Sequence, residues 1–237
     1  MTRSVSTSKT RVSPRRPNRR GEGSRLRDEI VRAATRLLQE PGNDGAVTLR
    51  AVAREAGISA PSIYAHFPDP AAINAAVVAV TFEALTSALR TSGAGIDDPV
   101  QRLAAQCYGY LRFAREHPGL YRVLFTRGRG IGHPVGTASD TDTRIDVRSQ
   151  DAVILEAGGV AFQLLVDAIA SCVEAGRSTS QDAFVDAVGL WSALHGYSVL
   201  RIAAPEFPWP DEHIAVDSMI VGQARLQPPR PQAGHVS

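Results

Sequence analysis

Two groups of residues in this chain combine side-chain type and spacing in a way that could do chemistry. The first lies between residues 48 and 67, where Ser62, Tyr64 and His66 follow Thr48 and Arg50. Hydroxyl, phenol, imidazole and guanidinium groups gathered in so short a stretch suit hydrogen bonding to phosphate oxygens and base edges. The second is Trp191-Ser192-Ala193-Leu194-His195-Gly196. Trp191 and His195 are four apart and share a helix face. The plain reading of that pair is core: a space-filling indole, and an imidazole bonded to backbone beside a glycine that permits close approach. Bond-making chemistry finds little support. Gly128-Arg129-Gly130-Ile131-Gly132 is glycine-rich but no strand precedes it, so a dinucleotide site is not expected. No Gly-x-Ser-x-Gly elbow occurs. The six histidines show no metal spacing with one another or with Cys107 and Cys172, and no metal or cofactor is expected.

Positioning the first group requires two short helices around a turn. Thr48 can cap the first, whose Leu49, Val52 and Ala53 fall on one face. Gly57 supplies the positive φ that stops it. Ser59 can cap the second, with Pro61 in its first turn, where a missing N–H does no harm. Ile63 and Phe67 then face inward, leaving Ser62, Tyr64 and His66 outward over about Ala60 to His66. This is the layout of a DNA-binding helix-turn-helix, short enough to lie in a major groove.

The stretch from about Arg27 to Ile73 resembles the N-terminal domain of the TetR family of transcriptional regulators. Ile30, Ala33, Ala34 and Leu37 of a preceding helix, then Thr48 to Phe67 with its Tyr64-x-x-Phe67 ending, carry the likeness. It implies that Thr48 meets phosphate at a helix start and that Tyr64 and His66 contact phosphates and position the helix. Ser62, with Ala60 and Pro61, would face bases, and Arg50 would reach backbone or a base edge. One departure stands out: the family usually places a lysine just after the aromatic ending, where this chain reads Asp69-Pro70-Ala71. Trp191-x-x-x-His195-Gly196 and Glu116-His117-Pro118-Gly119-Leu120-Tyr121 resemble the ligand domain of one subgroup. That likeness implies a mostly apolar pocket where Cys107, Tyr110, Leu111, Tyr121, Phe125, Phe162, Leu165, Trp191 and His195 converge, suited to a hydrophobic or aromatic small molecule.

Composition agrees with such a design. The formal net charge of +2 hides an asymmetry. Residues 1–27 hold nine Arg and Lys against one acid, Glu22, which is +8; the remaining 17 basic and 23 acidic residues give −6. A basic arm on a mildly acidic body attracts a polyanion at one end. Its Ser, Pro and Arg content also reads as a poorly ordered leader. No run of 18 apolar residues occurs, so no membrane span is expected, and no apolar stretch follows the basic N-terminus as in a secretory signal. Two cysteines in helical patterns fit a reducing cytoplasm better than a disulfide framework.

Periodicity elsewhere is helical, and the fold class reads as all-α: a helix-turn-helix three-helix domain plus a larger helical ligand-binding and dimerisation domain. Expected helices run over about 24–40, 70–91, 99–117, 118–125, 150–175, 180–204 and 211–226. Residues 127–149 lack periodicity and read as a long loop. Gly158-Gly159 marks close packing or a kink. The organisation is then a disordered basic arm at 1–23, a DNA-binding domain at 24–69, a ligand and dimer domain at 70–226, and a flexible tail at 227–237.

The resemblance implies a ligand-responsive regulator, a repressor on a palindromic double-stranded operator. Its homodimer would pair 180–204 and 211–226 with their copies, burying Phe184, Val188, Ile214, Ile220 and Val221. A non-specific nucleic-acid-binding helical module and a small all-α enzyme are the alternatives from other classes.

Overall fold

The protein is described by a computed structural model covering residues 22–40, 47–125 and 147–228. Most of the basic arm, the bulk of the 127–149 loop and nearly all of the tail lie outside the described residues. Within them every regular element is a helix, and Ser178 and Leu226 form an isolated antiparallel bridge.

Three helices build the N-terminal unit: α1 (Glu22–Gln39), α2 (Leu49–Glu55) and α3 (Ala60–Ile63). The α1 stripe of Ile30, Ala33, Ala34, Leu37 and Leu38 is buried against Val52 and Ala53 of α2 and against Ile63 and Phe67. Phe67 is 1% exposed, so its ring closes the small core, with the Arg27 guanidinium 4.9 Å from the ring centroid on the outer side. The Thr48 hydroxyl accepts from Ala51 N–H at 3.1 Å and caps α2. Gly57 ends it at φ +68°.

Six further helices form the body: α4 (Pro70–Gly93), α5 (Pro99–Glu116), α6 (Pro118–Phe125), α7 (Val147–Glu174), α8 (Ala183–Ala203) and α9 (Glu212–Gln223). Four of them start alike. Asp69, Asp98, Asp182 and Asp211 each accept hydrogen bonds from backbone N–H groups of the first turn. A carboxylate there fills orphan donors and meets the positive end of the helix dipole, a gain of about 1 kcal/mol each. Asp182, not Ser180, therefore sets the start of α8; Ser180 is buried, its own N–H bonded to the Ser178 hydroxyl at 3.0 Å. Helix α7 begins at Val147, inside the stretch that lacks periodicity.

The second helix of the helix-turn-helix also differs from expectation. It is regular only over Ala60–Ile63, and Tyr64 to His66 form a tighter turn. The N–H groups of His66 and Phe67 both reach Ile63 C=O at 2.9 Å. Ser59 has extended dihedrals suited to a cap, but its hydroxyl bonds the Ser62 hydroxyl at 2.7 Å and not a backbone N–H.

Helix α4 is the axis of the body. Ile73, Val77, Val78, Phe82, Leu85 and Leu89 are buried. By length and composition, Pro70–Gly93 and Leu155–Glu174 are apolar enough to cross a membrane. In the fold, the α4 stripe lies in the core and α7 lends its inner side to a cavity. Gly158 lets α7 come close to α4, since a Cβ there would meet the Phe82 ring at 3.1 Å. Of the residues expected between two chains, Ile220 is already buried within its own, at 2% exposed, because α9 lays it against the body. Phe184, Val188, Ile214 and Val221 are exposed.

Candidate functional site

Two sites follow from this architecture, one on the outer face of α3 and one inside the body. On α3, Ile63 and Phe67 are pinned in the core and fix how the segment is presented. Tyr64, next to Ile63, is left 55% exposed. Pro61 and Arg50 are exposed, and Ala60, Ser62 and His66 are partly exposed. The sequence-predicted group is thus accessible together on the helix-turn-helix. Thr48 is exposed but its hydroxyl is committed to the α2 cap. Where the family pattern has a cation, the Asp69 carboxylate accepts from Ala72 N–H at 2.7 Å. That position serves the start of α4.

The second site is a cavity of about 470 Å³ enclosed by α4, α5, α6, α7 and α8, in the size range of drug-sized ligand sites. Of the nine residues read as a pocket, Cys107, Tyr110, Phe125, Phe162, Leu165 and Trp191 line it. Leu111, Tyr121 and His195 do not. Leu111 is buried in the body at 5% exposed. Tyr121 and His195 stand behind the wall and hold it. The Tyr110 and Tyr121 hydroxyls are 2.7 Å apart, and the Tyr121 hydroxyl is 2.7 Å from His195 Nδ1. The His195 ring lies 4.4 Å from Phe125 and 6.3 Å from Trp191, centroid to centroid. The Trp-x-x-x-His spacing therefore places an indole on the cavity and an imidazole one turn on, beneath it.

Sequence reasoning missed much of the wall. Phe82, Leu85 and Leu89 of α4 line the cavity and were not among the residues expected there. The signal that could have found them is Gly158, which has no side chain where α7 passes Phe82. Phe184 and Val188 line the cavity while also reaching the outside, 58% and 39% exposed.

The electrostatics suit a neutral guest. Among the described residues, no charged side chain lines the cavity. Burial pushes the Tyr110 and Tyr121 phenols up, and the Cys107 thiol up to about 12. A thiol so placed is a small hydrophobe, not a nucleophile. Burial lowers the His195 pKa and favours the neutral imidazole. No cluster of three or more His, Cys, Asp or Glu side chains able to hold a metal occurs among the described residues.

One element joins the two sites. Helix α6 carries Leu124 and Phe125 of the cavity wall and also packs under α1. Gly119 lies against the Leu38 carbonyl oxygen so closely that a Cβ would overlap it. Beside it, the Gln39 amide is 3.3 Å from His117 Nδ1.

Two family models match this chain. Residues 30–77 match the family model of bacterial regulatory proteins of the tetR family. Residues 103–221 match the model of the tetracyclin repressor-like C-terminal domain. Nucleoid occlusion factor SlmA from Aliivibrio fischeri is 28% identical over 113 residues, 48% of this chain and 54% of SlmA, so the chain spans about half the length of that relative. An HTH-type transcriptional regulator from Mycobacterium tuberculosis is 27% identical over 178 residues, 74% of this chain and 70% of its own length. Among solved structures, a Rhodococcus protein of unknown function superposes with TM-score 0.64 at 24% identity, covering 85% of this chain and 95% of its own. RolR in complex with resorcinol superposes with TM-score 0.59 at 17% identity, covering 87% and 89%. At those identities the superpositions speak for the fold. With one model on the helix-turn-helix and another on the helical body, the chain belongs to the TetR family of DNA-binding transcriptional regulators.

Proposed function

We propose that this protein is a repressor whose dimer binds a palindromic operator and leaves it when a neutral, mostly apolar small molecule fills the cavity. The observation that carries the reading is the double role of α6: its C-terminal end is cavity wall and its N-terminal end is the seat of α1. A ligand that displaces Phe125 shifts the element on which the DNA-binding unit rests. Such a ligand acts only through tighter binding to the shifted arrangement. Ser62, Tyr64 and His66, with Ala60, Pro61 and Arg50, would meet DNA, Tyr64 holding phosphate and Ser62 facing bases. Thr48 would contribute the N–H groups at the start of α2.

The exposed apolar residues Phe184, Val188, Ile214 and Val221 on α8 and α9 support pairing of these helices with their copies. Two-fold symmetry then sets half-sites about 34 Å apart, or a multiple of it. Action on DNA and the free Cys107 and Cys172 support a cytoplasmic location.

The test is selection of genomic fragments by the purified protein, followed by titration of the enriched duplex with apolar aromatic compounds. The reading expects a palindrome and its release by some compounds. A protein that enriches no sequence, or whose complex no cavity ligand alters, overturns it.

A further inference from the structure

The cavity has few polar groups, and they lie together. Gln106 and Tyr110 sit one turn apart on α5, and Trp191 faces them from α8. The Tyr110 hydroxyl is the first of a hydrogen-bonded series. It meets the Tyr121 hydroxyl at 2.7 Å, which meets His195 Nδ1 at 2.7 Å. Each hydroxyl has one proton, so the order along the series is all one way or all the other. Running outward from Tyr110 to Tyr121 and His195 Nδ1, every proton has an acceptor. Running the other way, His195 must carry its proton on Nδ1 and the Tyr110 O–H gives up a 2.7 Å acceptor to turn toward the mostly apolar cavity.

We propose that His195, which does not touch the cavity, sets its hydrogen-bonding character through Tyr121 and Tyr110, and that the cavity takes a neutral, largely aromatic molecule bearing a hydroxyl donor. This rests on the cavity being the ligand site. With His195 neutral and its proton on Nε2, Nδ1 accepts, and the Tyr110 oxygen keeps a lone pair for a ligand O–H. The Gln106 carbonyl oxygen, buried without a partner, is a second acceptor that a donor would satisfy. With His195 protonated, Nδ1 must donate. Tyr121 then donates to Tyr110, and Tyr110 turns its O–H to the cavity. A ligand hydroxyl can then no longer donate to Tyr110, and a ligand carrying only an acceptor gains a donor.

The groups facing His195 are Tyr121 and Phe125 from α6 and Trp191 on its own helix. Ser198, a turn further on α8, is committed to the Leu194 carbonyl at 2.9 Å. No charged neighbour contributes to the His195 shift, whose cause is burial, so the imidazole is neutral near pH 7 and protonates only in acid.

The experiment is calorimetric titration of the full chain with two matched probes, 2-naphthol and 2-methoxynaphthalene, at pH 7.5 and again in mild acid. At pH 7.5 the naphthol should bind about threefold to tenfold tighter, the worth of one net hydrogen bond. That preference should shrink or invert in acid. Tyr110→Phe should narrow the difference between the two affinities and remove its pH dependence while keeping the ether bound. His195→Leu should remove the pH dependence and leave the probes bound. Equal affinities in the wild type, or a preference that Tyr110→Phe leaves unchanged, overturn the relay and leave the cavity as a ligand site. Binding of neither probe overturns the cavity reading along with it.

Discussion

Ile63 and Tyr64 are neighbours with opposite fates, 1% and 55% exposed. That contrast gives the helix-turn-helix its outer face, and the turn before it depends on one glycine. Gly57 sits at φ +68° with no atom within 4 Å of a built Cβ. Replacement there costs backbone strain alone. Gly57→Ala should lower stability by about 1–2 kcal/mol, and Gly57→Asn by less, since asparagine tolerates the left-handed region. Chemical denaturation of the two variants measures both. His195 gives a second residue-scale expectation. Its pKa is lowered in the fold by burial, so the unfolded chain takes up its proton first as pH falls. Its contribution to stability is flat above about 6.5, the ordinary histidine value, and is lost as pH drops toward the folded value. Melting temperature against pH should show this loss in the wild type and not in His195→Leu; parallel curves would contradict it. At this scale the sequence was most legible where one residue type has one local job. Thr48, Gly57, Asp69, Asp98 and Asp211 all act where their types place them. Ser59 was not legible, because its hydroxyl had a choice of partners and took Ser62.

At the scale of elements, periodicity placed the helices, because amphipathic stripes such as Ile30 to Leu38 have one way to be buried. It could not place the cavity. A wall residue and a core residue have the same chemistry, and only three-dimensional packing tells Leu165, which lines the space, from Leu111, which does not. Nor could it show that α6 touches both sites. That contact is checked by Gly119→Ala. The added methyl overlaps the Leu38 carbonyl oxygen, so α1 or α6 must shift. The variant should lose about 1–3 kcal/mol of stability. It should bind cavity ligands as before, while the ligand-induced change in DNA affinity moves several-fold. Coupling unchanged in a measurably destabilised variant would show that α6 is not the connection.

At the scale of the whole molecule, the proposed function needs two copies. The exposed Phe184, Val188, Ile214 and Val221 are too apolar for solvent. Ile214→Asp should shift the sedimentation profile from dimer toward monomer at micromolar concentration and weaken operator binding together with it. A variant that stays dimeric moves the interface elsewhere. The basic arm adds attraction that is blind to sequence. Discrimination must therefore come from the folded unit, and from the presented face of α3 above all. The most direct measurement is fluorescence anisotropy of wild type and Tyr64→Ala on the selected duplex and on a scrambled one of equal length. The wild type should prefer the selected duplex by about a thousandfold or more. Tyr64→Ala should lose about tenfold on it with an unchanged melting temperature. Equal affinity of the two proteins for the selected duplex, or no preference by the wild type, would contradict the assignment of this face to DNA.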